Sequence, residues 1–84
     1  MTRYLLITQR TPNFDPRVVQ DHFDFLDELR ARDQLELSGA FTDKTGGAYI
    51  LRGVSLEEAQ SIAAADPLAT SGSSTITVHE WDAK

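Results

Sequence analysis

The chain has 84 residues, no cysteine, and 13 acidic against 8 basic side chains, for a net charge of −5. Disulfides and thiolate metal sites are excluded, and the scattered Lys and Arg form no basic stripe of the kind that binds nucleic acid or an anionic membrane. The longest apolar run is far below the roughly 20 residues that cross a bilayer. The expectation is a single domain over residues 1–84, cytoplasmic and without a signal peptide, whose partners are small molecules or other proteins. A core this small is often supplemented by oligomerisation.

Residues 3–9, RYLLITQ, read as a strand. Leu5 and Ile7 point one way and Tyr4 and Leu6 the other, so both faces are apolar, as in a central strand covered on both sides. RTPNFDP is a loop by its prolines and asparagine, and Asp15-Pro16 has the form of a helix cap followed by proline at the first helical position. A helix follows over about residues 16–32. At 100° per residue, Val18, Val19, Phe25, Leu26 and Leu29 share one arc and Asp21, Asp24, Asp27 and Glu28 lie opposite. His22 falls inside the apolar arc, one turn from Val18 and Leu26.

LELSGAF, 35–41, alternates as a strand, and TDKTGG is a turn in which Gly46 and Gly47 are free to take positive φ. AYILR, 48–52, returns as the next strand, apolar on both faces. SLEEAQSIAAA opens with the Ser55/Glu58 capping-box spacing and runs as a small-residue helix that Pro67 should end at Asp66. TITVHEW, 75–81, is the last strand. The order β-α-β-β-α-β predicts an α+β, ferredoxin-like fold: a four-stranded antiparallel sheet with two helices on one face. The first and third strands, apolar on both faces, belong at its centre. Two helices cannot cover the second face, so another copy of the chain is the economical cover.

His22 reads either as a core histidine with a hydrogen-bond partner or as a general acid/base, a role suited to an imidazole at neutral pH. Asp66 has the matching pair of readings. It is the cap of a further turn, PLAT, or the carboxylate that orients the imidazole, and one carboxylate can do both. Ser38 and Gly39 mark a bulge in an edge strand or a place of close approach to a ligand. His79 shares a strand face with Thr75, Thr77 and Trp81, which reads as an oligomer contact before a catalytic one. Two histidines on separate elements make no metal signature. No glycine-rich phosphate loop or nucleophile elbow is present.

His22 in the first helix, LSGAF after it, SLEEAQSIAAADPLATSG and the closing TVHEWD together resemble the YCII-related (YciI-like) family over nearly the whole chain. The resemblance implies the dimeric α+β barrel arrangement, in which two ferredoxin-like sheets pack face to face. It also implies a proposed active site built on a histidine–aspartate dyad, here His22 and Asp66, with Ser38 and Gly39 as the substrate-binding segment. Relatives in that superfamily include isomerases and a dehydrochlorinase of small ring compounds. Where the family usually has proline after the glycine, this chain has Ala40, which loosens the pocket wall. The expected function is a small dimeric enzyme doing acid–base chemistry, of isomerase or lyase type, without a metal or cofactor. The rival is a ligand-binding or accessory module of the same fold.

Overall fold

The computed structural model describes residues 1–84. It contains strand β1 (Thr2–Arg10), helix α1 (Val19–Ala31), strands β2 (Leu35–Ala40) and β3 (Gly46–Leu51), helix α2 (Leu56–Ala65), the single turn α3 (Pro67–Thr70) and strand β4 (Ser74–Asp82). The sheet order is β2-β3-β1-β4, with every neighbouring pair antiparallel. The fold is therefore the ferredoxin-like α+β arrangement, with β1 and β3 in the centre. No helix is long and apolar enough to cross a membrane.

Local chemistry sets the ends of the helices. Asp15 accepts from the Arg17 backbone N–H, and Pro16 opens a 3-10 turn, so the α-helical geometry begins only at Val19 rather than at residue 16. Ser55 and Glu58 form the full capping box of α2. Pro67 holds Asp66 in extended geometry (φ −60°, ψ 130°), which ends α2 and starts α3 in one residue.

The core lies between the helices and one sheet face. Tyr4 and Leu6 of β1, Tyr49 and Leu51 of β3, Leu26 and Leu29 of α1, and Ala59 and Ala63 of α2 are all buried there. Burying each of the larger side chains contributes about 1.5–3 kcal/mol. Ile62 and Val78 pack against it half-buried. Leu5, Ile7 and Ile50 belong to the face expected to need a second copy as cover. They occupy the opposite face and stay half-exposed, because alternation fixes which residues share a face but not which face the helices cover. Cross-strand register adds Leu37, 66% exposed, and Trp81, 44% exposed, to that open face.

Two further expectations are corrected. Gly46 and Gly47 are not turn residues; they begin β3, and the positive φ of the hairpin falls on Lys44 (φ 65°). Both glycines stand where backbone comes too close for a side chain. A Cβ on Gly46 would collide with the carbonyl of Thr8, and one on Gly47 with the carbonyl of Gly39. The irregularity in β2 lies between Leu35 and Leu37, so Gly39 is not at a bulge.

Candidate functional site

α1 and the α2–α3 junction meet at His22 and Asp66. His22 Nδ1 is 2.9 Å from Oδ1 and 3.0 Å from Oδ2 of Asp66. The carboxylate is fully buried, and the imidazole side chain is 13% exposed. Two more donors hold the carboxylate: the Tyr49 hydroxyl donates to Oδ2 at 2.9 Å, and the Leu68 backbone N–H donates to Oδ1 at 2.9 Å. The capping and imidazole-orienting readings of Asp66 are both realised in this geometry. A lone buried charge would cost several kcal/mol, and three donors on one carboxylate offset that cost.

The network also fixes the tautomer. The carboxylate accepts, so Nδ1 carries a proton, and in the neutral ring the lone pair is then on Nε2. No protein group hydrogen-bonds to Nε2. The imidazole ring sits 5.9 Å from the Tyr49 ring and 6.0 Å from the Phe23 ring, centroid to centroid, which packs it on two sides. Burial, the nearby Asp66 charge and the hydrogen bond to it all push the Tyr49 hydroxyl well above the ordinary tyrosine value, so this hydroxyl stays a donor.

His22 lines a cavity of about 320 Å³ between the first half of α1, the end of β1 and the β2–β3 hairpin. That volume is at the small end of the range for organic ligands. Ser38 and Gly39, singled out in the sequence, line it, as do Gly46, Gly47 and Tyr49. Asp66 does not line the cavity and lies behind His22, Tyr49 and Leu68, which do. His79 is exposed on the open sheet face, cross-strand from Leu5 and away from the cavity. No group of three His, Asp or Glu side chains suited to a metal ion forms anywhere in the chain.

Sequence reading missed Tyr49, Arg10 and Phe14 as parts of this site. Tyr49 carried a usable signal: a tyrosine in a central strand, if it faces the helices, needs a partner for its hydroxyl. Arg10 carried one in the alternation of β1, which puts it on the face of Tyr4 and Leu6, whereas Phe14, in a loop without periodicity, carried none.

A ferredoxin-like α+β domain with a buried His–Asp pair beside a cavity of ligand size is the class that fold and site define. The chain belongs to the YCII-related domain family, whose pattern covers residues 2–82. It is 49% identical over 84 residues to the uncharacterized protein YjpA of Bacillus subtilis (strain 168), covering 100% of this chain and 99% of that one. Among solved structures it is similar to the 5-chloro-2-hydroxyhydroquinone dehydrochlorinase TftG of Burkholderia phenoliruptrix AC1100, in complex with 2,5-dihydroxybenzoquinone. The TM-score is 0.74 with 18% identity, over 98% of this chain and 95% of that one, and the likeness is one of fold.

Proposed function

We propose that the protein is an acid–base enzyme of isomerase or lyase type, acting on a small organic compound through His22 and Asp66. The observation that carries this reading is the divided imidazole. One nitrogen is tied to a buried carboxylate, and the other has no protein hydrogen-bond partner on a residue that lines the cavity. In the proposed step, Nε2 takes a proton from an acidic C–H of the substrate. The electron pair left behind moves into an enolate or expels a leaving group from the adjacent carbon. The imidazolium then returns its proton to another carbon or to the leaving group, so the enzyme ends as it began. Asp66 stabilises the imidazolium and keeps the ring in register, as the carboxylate of a hydrolytic triad does. Ser38 and Gly39 contact the substrate. The fold likeness to a dehydrochlorinase that binds a small ring compound supports the substrate class.

The test is deuterium exchange by NMR, with the purified chain in heavy water and a panel of small cyclic ketones and lactones. Exchange at a carbon beside the carbonyl should exceed the protein-free rate and fall about 10²–10⁴-fold in His22→Gln, the range for losing a general base. Compounds that bind without any exchange would assign the cavity to a binding module instead.

We further propose that two copies pair through the open sheet face of Leu5, Ile7, Leu37, Ile50 and Trp81. These apolar residues have no other cover in the chain. Sedimentation should give a particle of twice the 9.3 kDa chain mass, and Leu5→Glu should halve it. A wild-type monomer at micromolar concentration would sink this proposal.

A further inference from the structure

The residues of β1 that face the helices are Tyr4, Leu6, Thr8 and, at the end of the row, Arg10. The first three are buried, and the fourth reaches the cavity. Arg10 is anchored through its backbone, where its N–H donates to the Thr45 carbonyl at 2.9 Å. Its guanidinium carbon lies 4.1 Å from the centre of the Phe14 ring. Stacking occupies the flat face of the group and leaves the N–H edge, which is the edge that matches a carboxylate or a phenolate.

Arg10, like Arg32, forms no ion pair with a carboxylate, whereas Arg3, Arg17, Arg30 and Arg52 do. For Arg10 the cavity wall explains it, because the wall contains no Asp, Glu or Lys. Asp66 lies behind the wall with its donors already supplied by His22, Tyr49 and Leu68. Arg10 is therefore the only permanent charge lining the cavity. The rest of the lining is apolar side chains, hydroxyls, the imidazole and backbone.

We infer that Arg10, stacked on Phe14, makes the cavity selective for small ring compounds that carry an ionised acidic group. This rests on the reading of the cavity as a small-molecule site and names its substrate class. The acidic group meets the guanidinium edge, and the ring extends along the apolar wall toward Nε2 of His22. Arg10 acts here as a binding and orienting residue.

The experiment is titration calorimetry of the full-length chain with salicylate and with salicylamide, which has the same ring but no carboxylate. Wild type should bind the acid about tenfold more tightly or better, the ratio that one charge-assisted hydrogen bond supplies. Arg10→Gln should erase that ratio, and Arg10→Lys should keep part of it. The inference is overturned if wild type binds both probes equally, if the acid preference survives in Arg10→Gln, or if neither probe binds up to its solubility. The exchange test of the dyad is separate. Exchange without acid preference overturns this inference alone, and acid preference without exchange overturns only the catalytic reading.

Discussion

Replacing Tyr49 by Phe removes one oxygen atom and little else, which makes it an informative perturbation of the buried network. The ring stays in the core beside Leu6 and Leu51, and Asp66 keeps two of its three donors. A hydrogen bond to a buried carboxylate contributes about 1.5–3 kcal/mol, so the variant should be less stable by that amount near neutral pH. The alkaline limb gives a second, independent number. Burial, followed by the Asp66 charge and the hydrogen bond, raises the folded-state value of Tyr49 above its unfolded value of about 10. Its contribution is therefore whole below about pH 10 and is lost as pH rises, because only the unfolded chain gives up the proton. By about pH 11 the loss reaches about 1.4 kcal/mol in wild type, and the Tyr49→Phe variant, with no phenol to ionise at this position, cannot show it. Urea unfolding followed by circular dichroism at about pH 8 and about pH 11 measures both quantities. The stability gap between the two proteins should narrow by about 1.4 kcal/mol across that interval. A gap that stays constant would show that the hydroxyl is not held by the carboxylate in solution.

Leu26→Ala should destabilise by about 2–5 kcal/mol in the same unfolding assay, since the side chain is 5% exposed and its removal leaves a void under α1. Gly46→Ala should destabilise by about 1–3 kcal/mol, because the new methyl meets the Thr8 backbone and not a side chain that can yield. Asp66→Asn should mix the imidazole tautomers of His22, read from the nitrogen-15 shifts of the ring, whereas wild type should show the proton on Nδ1. An unmixed wild-type pattern with the proton on Nε2 would contradict the network. Asp66→Ala should be less stable than Asp66→Asn by at least about 1 kcal/mol, because it leaves the His22, Tyr49 and Leu68 donors without an acceptor.

Much of this molecule was legible in its sequence for identifiable reasons. The caps at Asp15, Ser55 and Asp66 involve side chains bonding to backbone within three residues, so short patterns carry them. The helical phase of α1 put Leu26 and Leu29 inside and Asp24, Asp27 and Glu28 outside, because its two faces differ in polarity. In β1 and β3 they do not differ. Tyr4 and Leu6 are as apolar as Leu5 and Ile7, and the side facing the helices is decided by packing across the sheet. The glycines of the hairpin were misread for a related reason. Glycine supplies either positive φ or close approach, and the second use at Gly46 and Gly47 depends on carbonyls of Thr8 and Gly39 that are distant in sequence. The meeting of His22 with Asp66 was foreseeable as a pairing of needs. The third member, Tyr49, required knowing which face of β3 turns inward.

The placement of Asp66 explains why the site and the fold cannot be varied independently. One carboxylate caps α3, accepts from the central strand through Tyr49 and fixes the imidazole on α1. A chain of 84 residues with no disulfide has few other ties of this kind between its two helical segments. A fully buried charge is a poor choice for stability alone, since a well-packed apolar group in its place is often neutral or better. Here the charge is surrounded by donors drawn from three elements, and its remaining effect is on the imidazole of His22, a residue that lines the cavity. A purely structural histidine would need only an acceptor, and a backbone carbonyl could serve. A buried carboxylate adds a compensating charge for the protonated ring, which is useful where that ring accepts and returns a proton.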